Sequence, residues 1–256
     1  MSNLNRPYWY ELMTTDTDAA VRFYGAVVGF TAEAWPDPQV PYTLWMTPSG
    51  PPSGGVSPLT EEMTQAGLPP HWSGVVAVAD ADAVAARAVA LGGAVLSPPM
   101  DVPGVGRYAT LADPQGASFG VMQSATEEGP SAPPGAIGTV GWNELWTSDP
   151  EAAVAFYRAL LGWRSVGAMD MGPAGTYHML APEGEEAPGV GIARLMEGQQ
   201  RPAWLYYFVV ASADASVAMV TAAGGKALMP VIDVPDGGRA CVFADDQGAS
   251  FGLLSR

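Results

Sequence analysis

Cysteine is almost missing from this chain of 256 residues. Cys241 stands alone, which excludes an intrachain disulfide framework and a cysteine-rich zinc site. Its apolar surroundings suit a small core residue of a strand. Histidine is scarce too, with only His71 and His178. A transition-metal site typically takes about three His or carboxylate ligands, so a metal would need both histidines together or one with carboxylates. Cations are few: 11 Lys and Arg against 26 Asp and Glu leave a net charge of −15. That is the wrong sign for a phosphate backbone, and no nucleic-acid partner is expected. The acidic residues are scattered except for Glu61-Glu62, Glu127-Glu128 and Glu183-Gly184-Glu185-Glu186, which suit solvated loops. No run of about 18 apolar residues occurs, so no membrane partner is expected. Met1 to Pro7 show no basic start with an apolar stretch behind it. A cytoplasmic location is the expectation.

What is present is said twice. Gly106-Arg107-Tyr108-Ala109-Thr110-Leu111-Ala112-Asp113-Pro114-Gln115-Gly116-Ala117-Ser118-Phe119-Gly120 recurs, with few changes, at 238–252, an offset of 132. Trp9-Tyr10-Glu11-Leu12 recurs as Trp142-Asn143-Glu144-Leu145, and Phe23-Tyr24 as Phe156-Tyr157, at an offset of 133. Solenoid repeats run to roughly 20–50 residues, so this is a duplicated domain. The expected division is 1–123 and 139–256. Between them lies a Pro/Gly-rich linker, 124–138.

Gly and Pro number 31 and 24, which calls for many tight turns between short strands. Each half opens on a strand, 8–14 and 140–146, followed by a helix, 16–28 and 149–161. Asp16 or Thr17 suits the first N-cap, Ser148 or Asp149 the second, with Pro150 in the first turn. Gly29 and Gly162 stop these helices. Three strands follow in each half, near 31–35, 42–47 and 54–59, then 164–169, 175–181 and 189–195. The order then repeats: strands 72–79 and 204–211, Ala-rich helices 80–92 and 213–224 ending in Gly-Gly, and three more strands each, near 94–97, 107–112 and 117–123, then 226–229, 239–244 and 249–254. The predicted fold is α+β, with four βαβββ units.

Four such units resemble a tandem member of the vicinal oxygen chelate superfamily, which includes glyoxalase I, bleomycin-resistance proteins and extradiol dioxygenases. Three repeated signatures carry the resemblance. They are the strand–Thr-Asp–helix–Phe-Tyr pattern over 11–30 and 144–163 (Ser-Asp in the second copy), the Ala-rich helix ending in Gly-Gly, and Asp113-Pro114-Gln115-Gly116-Ala117-Ser118-Phe119-Gly120. The resemblance implies two tandem glyoxalase-like domains whose curved mixed sheets enclose clefts. It also implies where metal ligands would stand: a His on the first strand, a His on the fifth, and a Glu on the last. Those positions here are Trp9, Ser73 and Gly120, then Trp142, Leu205 and Gly252. The fourth strands, around Gly55-Val56-Ser57 and Val190-Gly191-Ile192, add no carboxylate. No metal or other cofactor is therefore assigned, although His71 with Glu11, or both histidines with a carboxylate, leaves a divalent metal open.

Strand alternation sets the faces. If Trp9 faces the first cleft, so do Glu11 and Met13. The second cleft then receives Trp142, Glu144 and Trp146. The fifth strands add His71 and Ser73, or Leu205 and Tyr207, and the last strand adds Met122. Each cleft would be apolar and aromatic around one carboxylate, the usual make-up of a small-molecule pocket. A carboxyl among aromatic neighbours has a raised pKa and suits a general base. The same Glu11 and Glu144 also suit a structural role, paired with Arg107 or Arg239, and those arginines equally suit an anionic ligand. Two functions follow, with a purely structural or partner-binding pseudo-enzyme as a third reading. The leading one is a metal-independent binder or sequestering protein for a flat or cationic compound. The alternative is a lyase, isomerase or dioxygenase-like enzyme that uses Glu11 or Glu144 as base, or a metal not placed. A small-molecule ligand is the expected partner, and both a monomer and a homodimer are compatible with four units in one chain.

Overall fold

The computed structural model describes residues 4–37, 39–126, 132–182, 184–199, 201–235 and 237–256. Glu127, Glu128, Glu183 and part of the 124–138 linker lie outside the described residues. The first repeat runs β1 (Pro7–Thr14), α1 (Thr17–Val27), β2 (Thr31–Ala34), β3 (Thr43–Met46), β4 (Pro52–Pro58), α2 (Glu61–Gln65), β5 (His71–Ala77), α3 (Ala81–Ala90), β6 (Ala94–Val102), β7 (Gly106–Ala112) and β8 (Ser118–Ser124). The second runs β9 (Val140–Thr147), α4 (Pro150–Leu161), β10 (Arg164–Asp170), β11 (Thr176–Ala181), β12 (Val190–Arg194), β13 (Ala203–Val209), α5 (Ala213–Ala222), β14 (Lys226–Ala227), β15 (Ile232–Asp233), β16 (Arg239–Ala244) and β17 (Ser250–Ser255).

These elements make two mixed, curved sheets with the orders β2-β3-β4-β1-β5-β8-β7-β6 and β10-β11-β12-β9-β13-β17-β16-β14, the latter with β15 beside β16. Neither closes into a barrel. In each βαβββ unit the first and last strands run parallel: β1 with β4, β5 with β8, β9 with β12, and β13 with β17. The helix supplies the crossover that a parallel pair requires. The caps fall on Asp16 and Asp149, whose side chains accept from the N–H groups of Ala19 and Ala152, and Pro150 opens α4. Helices and strands lie close to the expected spans. Strand β6 extends past 97 because it is the edge of its sheet, where Pro98 and Pro99 need no ladder donor. The short α2, capped by Thr60, was not expected.

By packing, the chain forms two compact units. One contains Met1–Trp9, Gly74–Gly129 and Asn143–Trp204, the other Tyr10–Ser73, Pro130–Trp142 and Leu205–Arg256. Each unit therefore joins a βαβββ module of one repeat to a module of the other. The first unit buries Val76, Ala85, Leu111, Phe119 and Val121 with Leu145, Phe156, Tyr157, Leu161, Trp163 and Ile192. In the second, the Tyr24 ring lies 5.1 Å from Trp72 and 5.2 Å from Phe251, and Trp72 lies 4.8 Å from Phe208.

The repeat signatures meet inside these units. Asp245 holds its own turn through one oxygen, accepting from Gln247 and Ala249 N–H, and its other oxygen accepts from the Tyr24 hydroxyl at 3.0 Å. The same hydroxyl accepts from the Trp72 indole at 2.8 Å. In the first unit Asp113 does likewise with Gln115 and Ala117 N–H and the Tyr157 hydroxyl at 3.2 Å, while Trp204 donates to Tyr157 at 3.2 Å. Burial raises the pKa of Tyr24 well above the usual phenol value, and the neighbouring Asp245 adds to the rise. Burial likewise raises Asp113, against the pull of its hydrogen bonds. The Gly-Gly helix ends serve the same packing. A Cβ at Gly93 would fall 3.2 Å from the Phe156 ring, and one at Gly225 would fall 2.9 Å from Phe23.

Candidate functional site

The alternation of β1 buries Tyr10, Leu12 and Thr14 and leaves Trp9, Glu11 and Met13 half-buried on the other face. Parallel register sets Glu11 against Gly55 of β4. The ring of Tyr42, which immediately precedes β3, lies over that glycine: a Cβ on Gly55 would sit 2.3–2.4 Å from it. Gly55 thus lets Tyr42 reach the carboxyl, and its hydroxyl donates to Glu11 Oε1 at 3.1 Å. The Trp35 ring stands edge-on to Tyr42, with centroids 6.0 Å apart. Loss of hydration raises the Glu11 pKa above the ordinary carboxylate range, and the Tyr42 hydrogen bond only partly opposes it.

In the second repeat Glu144 of β9 stands against Gly191 of β12. It is buried, at 6% exposure. The Tyr177 hydroxyl of β11 donates to Oε1 at 2.7 Å, and the Trp146 indole donates to Oε2 at 2.9 Å. Trp142 and Trp146 are half-buried on the same strand. Tyr42 and Tyr177 escaped the sequence analysis. Their signal was the repeat itself, since a tyrosine stands at the entry of the corresponding strand in both halves, just before β3 in Pro41-Tyr42-Thr43 and second in β11 in Thr176-Tyr177-His178.

The remaining candidates take varied places. Ser73, Met122, Leu205 and Tyr207 are buried. Half-buried His71, at the start of β5, bonds the Pro69 carbonyl through Nδ1 at 2.8 Å. His178 has Nε2 3.6 Å from Glu151. Both arginines are engaged by aspartates in identical fashion. Arg107 grips Asp82 with Nε and Nη2 at 2.5 and 3.0 Å and reaches Asp101 at 2.9 Å. Arg239 grips Asp214 at 2.9 and 2.7 Å and reaches Asp233 at 2.8 Å.

The positions at which the family resemblance would put a metal-ligating Glu are occupied by rings. A Cβ at Gly120 would meet the Tyr108 ring at 2.9 Å and Val75 at 3.1 Å, and one at Gly252 would meet the Tyr207 ring at 2.2 Å. The two repeats reach this by different strands. Tyr207 of β13 is the counterpart of Val75 of β5, whereas Tyr108 comes from β7. Among the described residues no three His, Cys, Asp or Glu side chains gather as a cation site. The positions at which the resemblance implies metal ligands carry Trp, Ser, Leu and ring-covered Gly.

A family model for the Glyoxalase/Bleomycin resistance protein/Dioxygenase superfamily matches residues 6–121 and again 137–253. The chain is 34% identical to "Putative glyoxylase CFP32" of Mycobacterium tuberculosis, over 97% of this chain and 94% of that protein. It is also 34% identical to "Anthracycline biosynthesis protein DnrV" of Streptomyces peucetius, over 97% of this chain and 92% of that one. Among solved structures, the Mn(II)-bound glyoxalase from Novosphingobium aromaticivorans matches with a TM-score of 0.67 at 16% identity, covering 100% of this chain and 83% of that one. The 2,3-dioxygenase LapB from Pseudomonas sp. KL28 matches with a TM-score of 0.68 at 12% identity, covering 100% and 93%. At such identities these structures share the fold.

Proposed function

Because the chain belongs to the Glyoxalase/Bleomycin resistance protein/Dioxygenase superfamily, we propose that it binds a flat aromatic small molecule without a metal, on the glutamate-bearing strand faces. The observation that carries this is the exchange of ligand for ring: Gly120 and Gly252 are covered by Tyr108 and Tyr207 where a metal-binding carboxylate would stand. What those faces offer is Trp9, Glu11 and Met13 on one strand and Trp142, Glu144 and Trp146 on the other. Tryptophan faces stack on flat rings, and a carboxyl beside them orients a polar rim or attracts a cation. Resemblance to a protein named for anthracycline biosynthesis supports a polycyclic aromatic ligand.

A second function is favoured by one further observation. Burial raises the pKa of Glu11 above the ordinary carboxylate range, the direction that suits a general base, so a metal-free isomerase or lyase acting on the same class of compound is compatible with the site.

Titration with a hydroxylated anthraquinone, followed by tryptophan fluorescence, tests binding. Saturable quenching is expected with and without a chelator, and Trp9→Ala and Trp142→Ala should weaken it. Quenching abolished by the chelator, or affinity unchanged in both variants, would overturn the proposal. Turnover that is lost in Glu11→Gln while binding persists would move the assignment to the enzyme.

A further inference from the structure

The two glutamates are equivalent in sequence and unequal in their surroundings. Glu144 has both carboxyl oxygens engaged by the chain's own donors, Tyr177 on Oε1 and Trp146 on Oε2. Glu11 has the tyrosine alone: Tyr42 donates to Oε1 at 3.1 Å, and among the described residues no side chain donates to Oε2. One position accounts for the difference. Two residues beyond each glutamate, on the same strand face, the first repeat has Met13 and the second has Trp146. A thioether carries no donor, whereas an indole N–H reaches back along the strand to the carboxyl.

We infer that the repeats have divided their roles, with Glu11 keeping a carboxyl oxygen for a ligand's hydroxyl or amine and Glu144 serving as an internal strut, and that the Met13/Trp146 difference sets this division. The inference rests on the proposal that the glutamate faces are where ligand binds. A ligand approaching Glu144 would have to displace a charge-assisted bond from Trp146 or Tyr177 before making its own. A ligand approaching Glu11 meets an oxygen to which no described residue donates. Burial points the same way, since Glu144 is buried and Glu11 is half-buried. The ligand class that follows is a flat aromatic compound with a hydrogen-bond donor on its rim, bound once per chain.

The test needs no ligand. Folded full-length protein is treated with a water-soluble carbodiimide and glycinamide at one mildly acidic pH, and the amide formed at each glutamate is followed by peptide mass spectrometry. Glu11 should label several-fold faster than Glu144. Trp146→Phe keeps the ring and removes the N–H, and it should accelerate Glu144. Met13→Trp should slow Glu11 towards the Glu144 rate. Equal labelling of the two in the parent protein, or a Trp146→Phe protein of native circular dichroism whose Glu144 is no more reactive, would overturn the inference. The outcomes separate from those above: unequal labelling in a protein that binds no anthraquinone defeats the proposed function alone, and binding with equal labelling defeats the division alone.

Discussion

Glu11 is a carboxyl that the fold holds at some cost. Its pKa is raised by burial, so the folded state binds its proton more tightly than the unfolded chain, whose value is about 4.3. Its contribution to stability is therefore full below that value and is lost as pH rises through the raised folded value. Glu11→Gln keeps the shape without the ionisation. It should melt higher than the parent at pH 7–8, with the gap closing as pH falls towards about 4; thermal melts across that range decide it. Gly252 illustrates the opposite constraint. A Cβ there would sit 2.2 Å from the Tyr207 ring, so Gly252→Ala overpacks a buried contact at a cost of about 1–3 kcal/mol. The corresponding fall is about 2–4 °C in Tm per kcal/mol for a chain of this size. A Tm unchanged by Gly252→Ala would mean that the ring is free to move aside.

At the scale of the element, the clearest duplicated device is the arginine that ties a hairpin to a helix start. Asp82 and Asp214 stand in the first turns of α3 and α5, where a negative charge also suits the helix dipole. The hydrogen bonds from Arg107 and Arg239 pull both aspartates below their ordinary pKa. Because the folded values are depressed, the stabilisation is present above the unfolded value of about 3.9 and fades as pH falls through the folded ones. The pairs are exposed, so the effect is modest and screened by salt. The double variant Asp82→Asn/Asp214→Asn should lower the urea midpoint at pH 7, with a smaller deficit at about pH 2, where the parent's aspartates are closer to protonation. A deficit of equal size at both pH values would point to lost packing instead of lost charge. These elements also show what sequence patterns reach. Caps, Gly stops and period-two alternation placed the helices and most strands, because those signals are local. The expected strand at 226–229 forms only as the two-residue β14, and the short β15 escaped, because the edge of a sheet is set by its neighbour, β16, more than by its own residues.

At the scale of the whole molecule, the repeats exchange partners. Phe23-Tyr24 and Phe156-Tyr157 were visible as a repeated pair, yet nothing in their spacing said that Tyr24 bonds Asp245 and Tyr157 bonds Asp113, each in the other repeat. An isolated first repeat, residues 1–126, would lose Asp245 and Phe251 as partners of Tyr24. It would still hold Asp113, the counterpart of Asp245. It should therefore form a dimer in which Tyr24 of each copy finds Asp113 of the other. Sedimentation equilibrium checks this, and a stable monomer with full secondary structure would contradict it.

The sequence by itself determined the duplication, the βαβββ order and the turns, since each follows from residue identity at short range or at a fixed offset. It also brought Trp9 and Glu11, and Trp142 and Glu144, forward as candidates through strand alternation. Only the tertiary structure decided what surrounds them. Tyr42 and Tyr177 come to the glutamates from neighbouring strands, the rings over Gly120 and Gly252 arrive from β7 and β13, and Arg107 and Arg239 turn to aspartates 25 residues away. Such contacts depend on which strands lie side by side, and strand adjacency is a long-range property that no local pattern encodes.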